Sequence, residues 1–440
     1  MTNIRTRIAP SPTGFAHVGT AYVCLLNYAF TRKNGGKLIL RVDDSDTKRH
    51  VEGAENAIYA GLSWLGFDWD EGPDKPADRQ GKPGEFGPYR PSEKLDIYKA
   101  KAGELIKKGQ AFEDEGAIRF KNTGQDQTWR DLIRGEIKFG GGEITDFVIV
   151  KSDGYPTYNF NTVVDDIDMQ ITHVIRGEEH ISNTPRQLAL YQAFGVKPPE
   201  FAHFPTLRNA DRKKLSKRRD PVDLRLYREA GYLPQALVNF LGLLGWSHPE
   251  GKEVFDLAEF VDKFDLNRVS HAGPIFDTKK LDWLNGLYIR STSDAELAKM
   301  LNERSTYNVS EEMAALVRER ISKLSEADSL LDFFVNQPVV GRDLFEGVEK
   351  SSLHVITALH VLSNIKDWNL ENINSALTKL IEEKGFKTGD FYMTMRLVLT
   401  GKRMTPPINE SMVILGQDEV LQRLEEVQKV LIEIEPPEIG

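Results

Sequence analysis

The way the chain begins constrains its fold more than any other feature. Residues 4–9 read as a short strand, and Pro10, Ser11, Pro12, Thr13 and Gly14 then break it. From about residue 17 to 33, apolar residues recur at spacings of three and four, as Val18, Ala21, Leu25 and Ala29 with Leu26 and Phe30 beside them. That period belongs to a helix with one buried face. Asn34, Gly35 and Gly36 supply a stop, because glycine accepts the positive φ of a helix end. Residues 38–42 are almost continuously apolar, as in a strand covered on both faces. Ala54, Ile58, Leu62 and Leu65 mark a second helix, closed by Gly66. Strands alternating with helices in this way build a parallel sheet, so the chain is expected to open on a Rossmann-like α/β domain.

The rest of the chain suggests several domains. Residues 72–90, rich in glycine, proline and charge, read as a loop leaving the first half-sheet. Residues 91–155 have a mixed pattern, with strands expected at 117–121 and 146–150, and read as an α+β insertion. Strand character is expected again over 158–165 and 171–176, and helix over 184–193, completing the sheet. Beyond residue 220 the pattern turns helical. Residues 232–244 are strongly apolar, and amphipathic stretches cover 315–331, 353–365 and 419–432. The expected division is 1–79 with 156–207 as the Rossmann-like domain, 80–155 as the insertion, 208–294 as a further domain and 295–440 as an all-α region.

Composition narrows the class. Hydrophobic residues make up 40% of the 440, enough for a core in each domain. Net charge is -9, which argues against a simple nucleic-acid coat but leaves room for a basic face on an acidic body. Cys24 is the single cysteine, so neither an internal disulfide nor a cysteine-cluster zinc site is possible. No run approaches the roughly 20 apolar residues of a membrane span. No leader is evident, and a cytoplasmic location is the expectation.

Two motifs carry chemistry. Ala16-His17-Val18-Gly19-Thr20 falls where the first strand hands over to the first helix. A helix N-terminus presents free N–H groups and partial positive charge, which suits a phosphate. His17 could donate to a phosphoryl oxygen and Gly19 admit a nucleotide close to the backbone; equally, His17 could be a helix-start residue and Gly19 a packing device. The second motif is Lys213-Lys214-Leu215-Ser216-Lys217-Arg218-Arg219. Seven of the twelve positions from 208 to 219 are basic. Such a loop could close on a triphosphate and stabilise the leaving pyrophosphate, or could be a solvated RNA contact.

Together these motifs resemble the "HIGH" and "KMSKS" signatures of class I aminoacyl-tRNA synthetases, in His17-Val18-Gly19-Thr20 and Lys214-Leu215-Ser216-Lys217. The surrounding residues resemble bacterial-type glutamyl-tRNA synthetases. These are Arg7-Ile8-Ala9-Pro10-Ser11-Pro12-Thr13-Gly14, Tyr155-Pro156-Thr157-Tyr158-Asn159, Val164-Asp165-Asp166, Ile175-Arg176-Gly177-Glu178-Glu179 and Asn183-Thr184-Pro185-Arg186. The likeness runs on through Leu281-Asp282-Trp283-Leu284-Asn285-Gly286, and more weakly to Leu399-Thr400-Gly401.

The resemblance implies a Rossmann-like catalytic domain, an inserted acceptor-stem-binding domain, a stem-contact domain carrying the lysine loop and a helical anticodon-binding region. It implies activation of L-glutamate with ATP and Mg2+, without zinc, and transfer to tRNA(Glu), with tRNA(Gln) left open as a second acceptor. A monomer is the family expectation. It further implies that His17, Gly19, Lys214 and Lys217 act in catalysis, and that they bind ATP with Thr20, Leu207 and Ser216. Arg7, Ser11, Asp43, Tyr158 and Arg176 would bind glutamate. Arginine suits a buried carboxylate because its donors form a rigid fork. Three positions depart from the family pattern. Asp43 stands where glutamate is usual, in the Arg-x-Asp-Asp form similar to glutaminyl-tRNA synthetases. Thr162 replaces a larger polar residue, and the insertion has no cysteines. A glutaminyl-tRNA synthetase and a catalytically idle RNA-binding paralogue are the alternatives.

Overall fold

The computed structural model describes residues 4–46, 49–73, 86–216 and 220–432. They form two compact units, 1–284 and 285–440.

The first unit starts from a parallel pair. Strand β1 (Arg5–Ile8) leads into helix α1 (Val18–Lys33), which returns the chain to β2 (Lys37–Leu40), with Arg7 opposite Ile39. All four β1 residues are buried, although two are arginines. The side chains of Arg5 and Arg7 leave the strand on one face, two residues apart, and each meets a carboxylate. Arg5 pairs with Glu71 at 2.8 Å and Arg7 with Asp166 at 3.2 Å. Helix α2 (Ala54–Trp64) follows, and α3 (Leu95–Lys107) leads out of the first half-sheet.

The next strands divide between two sheets. β3 (Ala111–Asp114), β4 (Ala117–Phe120) and β7 (Phe147–Val150) form a small antiparallel sheet. Between β4 and β7, the hairpin of β5 (Gln127–Asp131) and β6 (Gly135–Phe139) leaves it. β5 pairs in parallel with β9 (Glu200–Phe204), at Asp131 opposite Phe201, and β9 pairs in parallel with β8 (His173–Gly177). Thr172 N donates to Arg5 O at 3.0 Å, tying the start of β8 to β1. Part of the segment read as an insertion thus belongs to the sheet that carries the site.

Residues 158–165 are not a strand. They lie in helix α4 (Tyr158–Asp168), which precedes β8, while α5 (Thr184–Phe194) joins β8 to β9. The β-branched Thr162, Val163 and Val164 favour a strand locally, but Phe160, Val163, Val164 and Ile167 recur at three and four. That face packs into a core with Tyr98, Ile149, Val174 and Leu190, and burial overrides local propensity. Beyond β9 come α6 (Leu224–Ala230), α7 (Pro234–Leu243), α8 (Leu257–Lys263) and α9 (Thr278–Ser291), the last continuing into the second unit. The Tyr22 hydroxyl on α1 donates to Leu244 O at 2.6 Å.

The described regular structure of the second unit is helical. It comprises α10 (Asp294–Asn302), α11 (Glu311–Arg318), α12 (Glu326–Leu331), α13 (Ser351–Ser363), α14 (Leu370–Lys384), α15 (Thr388–Thr400), α16 (Ile408–Leu415) and α17 (Gln417–Ile432). Ser293, Ser310 and Asn369 cap α10, α11 and α14 by accepting a backbone N–H. The stretch 315–331 is broken in the middle, where the Glu326 carboxylate takes the N–H groups of Ser322 and Lys323 and starts α12. Val355, Leu362, Leu377, Phe391, Met395 and Leu424 are among the core residues of this unit.

Candidate active site

Two cavities open beside the C-terminal ends of β1, β2, β8 and β9, where open parallel sheets bind ligands. The first, of about 270 Å³, is lined by His17, Gly19, Thr20, Leu207 and Lys214, among others. The second, of about 330 Å³, is lined by Arg7, Ser11, Arg41, Asp43, Tyr158, Thr162, Arg176 and His180, among others. Thr20, Val23, Gly177 and Glu179 line both.

The first cavity is built on the start of α1. His17 is the N-cap, and its Nδ1 accepts from the N–H groups of Gly19 at 3.0 Å and Thr20 at 3.3 Å. An imidazole nitrogen that accepts carries no proton, so in the neutral ring the proton sits on Nε2, which becomes a donor. A Cβ on Gly19 would lie 2.8 Å from His17 Cε1, so the glycine is required by the histidine cap itself. Val18 N donates to Val222 O and Leu224 N to Ala16 O, which holds the chain after the lysine loop against the helix start. From within the loop, Leu215 N donates back to Leu207 O at 3.0 Å, so the Leu207 carbonyl already has a protein partner.

Lys214 reaches Glu179 at 3.1 Å, with both side chains substantially exposed. Burial alone would raise the Glu179 carboxyl, but its own N–H, Lys214 and His180 bring it below the ordinary value. An exposed pair of this kind contributes about 0–1 kcal/mol, so a triphosphate could draw Lys214 away at small cost. Ser216 lies outside the cavity lining, its backbone paired with Asp220. Lys217 lies outside the described residues.

In the second cavity α4 sets the geometry. Tyr158, Thr162 and Asp166 are four residues apart, hence on one helical face. Asp166 is buried and takes both Arg7, at 3.2 Å, and Arg41 Nη1, at 2.6 Å. Burial would raise its carboxyl, but the two guanidiniums outweigh burial and hold it below the ordinary range. Asp43 Oδ1 accepts from the Ser45 N–H and hydroxyl, and lies 3.4 Å from Asn161 Nδ2. Asp43 does not cap a helix. The Tyr158 hydroxyl lies 3.2 Å from His180 Nδ1. Burial and then Arg176 push His180 down to about 4, so it adds no charge at neutral pH.

Arg176, on β8, is 4% exposed. Its Nε donates to His203 Nε2 at 3.0 Å and its Nη2 to the Thr184 hydroxyl at 2.8 Å. Nη1 is buried without a partner among the described residues. Unlike Arg7 and Arg41, Arg176 has no carboxylate in hydrogen-bond contact among the described residues.

The structure thus gathers Arg7, Ser11, Asp43, Tyr158 and Arg176 in one cavity and His17, Gly19, Thr20, Leu207 and Lys214 in the other. Sequence reasoning assigned no role to Arg41, Asp166, Glu179, His180 or His203. The Asp165-Asp166 doublet was a usable signal, since two carboxylates inside an apolar helix require cations. His203 and its partner Asp131 are 72 residues apart, and no local pattern joins them.

The match to known families follows from this architecture. Residues 3–117 and 113–283 match the model described as tRNA synthetases class I (E and Q), catalytic domain, and residues 290–428 match an anticodon binding domain. The chain belongs to the class I tRNA synthetases of the glutamate and glutamine group. A glutamate–tRNA ligase from Fervidobacterium nodosum is 38% identical over 96% of this chain and 99% of its own length. One from Acidothermus cellulolyticus is 39% identical over 96% and 94%. A crystal structure of a glutamate tRNA ligase from Elizabethkingia meningosepticum, in complex with its amino acid, superposes with a TM-score of 0.87 at 29% identity. It covers 98% of this chain and 100% of that one. Within the class I group, the chain stands in the glutamate–tRNA ligase family.

Proposed function

We propose that the protein activates L-glutamate with ATP and transfers it to the 3′ end of tRNA(Glu). The observation that carries the assignment of the pocket is Arg176 Nη1, a buried cationic donor without a partner among the described residues, on a residue that lines a cavity of amino-acid size. A side-chain carboxylate meets that need, whereas a glutamine amide would leave the buried charge uncompensated. Arg7, tethered to Asp166, flanks the same carboxylate, and Tyr158 and Ser11 line its path. Asp43 takes the substrate ammonium with a carboxylate one methylene shorter than the family's glutamate.

With glutamate so held, its α-carboxylate faces the wall shared with the nucleotide cavity. A carboxylate oxygen attacks the α-phosphorus, the bond to the bridging oxygen breaks, and pyrophosphate leaves with the electron pair. His17 Nε2–H, the N-terminus of α1, Lys214 and Lys217 stabilise the phosphate charge, Gly19 and Thr20 lie under it, and Leu207 borders the adenine. The ribose hydroxyl of the terminal adenosine then attacks the acyl carbon and AMP leaves. Neither step needs an enzyme nucleophile; the protein positions reactants and stabilises charge. Magnesium enters with the triphosphate. Among the described residues no group of three or more His, Cys, Asp or Glu is placed to hold a metal ion.

The assignment is tested by transfer of labelled glutamate to separate tRNA(Glu) and tRNA(Gln) transcripts, with ATP and magnesium. Charging of tRNA(Glu) alone marks a discriminating enzyme, and charging of both a non-discriminating one. Charging of neither overturns the proposal in favour of an idle RNA-binding paralogue.

A further inference from the structure

Arg176 is held by a chain of buried groups that reaches another strand. Its Nε donates to His203 Nε2 at 3.0 Å, and His203 Nδ1 lies 2.6 Å from Asp131 Oδ2. His203 and Asp131 have fully buried side chains. Asp131 ends β5, the strand that leaves the small antiparallel sheet to pair with β9, and His203 lies on β9.

The hydrogen bonds determine the protonation of this chain. Arginine can only donate, so His203 Nε2 must accept and carries no proton. A carboxylate can only accept, so Nδ1–H donates to Asp131. Burial, and after it the neighbouring Arg176, keep His203 below its ordinary value against the pull of Asp131, so the ring is neutral. The other oxygen of Asp131 is fully engaged. Oδ1 accepts the N–H groups of Ile133 at 3.0 Å, Arg134 at 2.9 Å and His203 at 3.1 Å. The carboxylate therefore cannot rotate, and it holds the imidazole in one tautomer and one orientation.

We propose that Asp131 and His203 are positioning residues for glutamate recognition, acting through Arg176. The inference rests on the reading of Arg176 as the side-chain carboxylate ligand. With Nε held by His203 and Nη2 by Thr184, the guanidinium plane of Arg176, a lining residue of the cavity, is set, and Nη1 is the donor left without a partner among the described residues. Preorganisation of this kind removes the cost of ordering a long side chain when substrate binds.

An isosteric change provides the test. In Asp131→Asn the three backbone N–H groups hold the amide oxygen at the Oδ1 position. The amide NH2 then faces His203 Nδ1, which must accept, so the ring proton moves to Nε2 and opposes Arg176 Nε–H. A buried carboxylate that selects a histidine tautomer has this sensitivity. We expect the KM for glutamate to rise on the order of 10- to 100-fold, the range for losing a hydrogen bond to a charged group, with the KM for ATP and the melting temperature close to wild type. His203→Gln, which keeps an acceptor near the Nε2 position, should retain a near-wild-type KM for glutamate, and His203→Leu should not. An unchanged KM for glutamate in Asp131→Asn would overturn the proposal. So would equal rises for glutamate and ATP, or no difference between His203→Gln and His203→Leu. If wild-type protein itself fails to charge tRNA with glutamate, the functional reading falls; if it charges normally and the variants show no contrast, only the positioning role falls.

Discussion

Gly177 shows how much a single atom can matter at this site. A Cβ there would lie 2.0 Å from Glu179 Oε2, forcing the carboxylate off the wall shared by the two cavities and away from Lys214. Only the end of a flexible side chain has to move, so Gly177→Ala should fold normally. Single-turnover adenylate formation should fall by about 10-fold or more, because small misplacements of reacting groups are costly. A wild-type rate would mean that the placement of the Glu179 carboxylate on the shared wall does not position either substrate. Lys217→Ala should slow the same step by about 10²-fold, the scale of removing one preorganised charged group from the transition state. The residues that line the two cavities were largely legible in the sequence, since Arg7, His17, Lys214 and Arg176 sit in short ordered motifs. The residues that hold them were not. His203 and Asp131 acquire their roles only when strands distant in sequence come together.

At the scale of elements, helix α4 divides a carboxylate doublet between two sets of cations. Its turn of about 100° per residue sends adjacent carboxylates to different neighbours. Asp166 meets Arg7 and Arg41, while Asp165 meets Lys94 at 2.8 Å and the Tyr98 hydroxyl. The carboxyls respond in opposite directions. Burial keeps Asp165 above its ordinary value, and the two arginines hold Asp166 below. For Asp166 the folded value lies under the unfolded one, so stability is fully present above an unfolded value of about 3.9 and is lost as pH falls through the folded value. Asp166→Asn leaves two buried guanidiniums without their anion and should cost about 3–5 kcal/mol at neutral pH. Calorimetric melting from pH 7 down to 3 should show a smaller acid-induced fall for the variant. A parallel decline in both proteins would mean that Asp166 does not contribute to it. The same helix explains why its sequence misleads. Thr162-Val163-Val164 reads as strand from three residues, and only the eight from Phe160 to Ile167 reveal the helical period.

For the whole molecule, the -9 net charge contrasts with a basic stretch of sequence over 208–219, of which Lys214 lines the first cavity. Binding of tRNA should respond to that local charge, so its affinity should fall by more than about tenfold between 50 and 200 mM salt, measured by filter binding. Salt-insensitive binding would mean that the phosphate backbone contributes little. The helical character of the chain after β9 was readable from the change of pattern beyond residue 220, whereas the migration of β5 and β6 into the sheet was not, because strand partners leave no mark on local composition. The partition between the cavities has a further consequence. Since Thr20, Val23, Gly177 and Glu179 border both, a single inert molecule with a glutamyl group at one end and an adenosine at the other would span them. Such a molecule loses its translational freedom once where two separate ligands lose it twice, so its affinity should approach the product of theirs multiplied by an effective concentration.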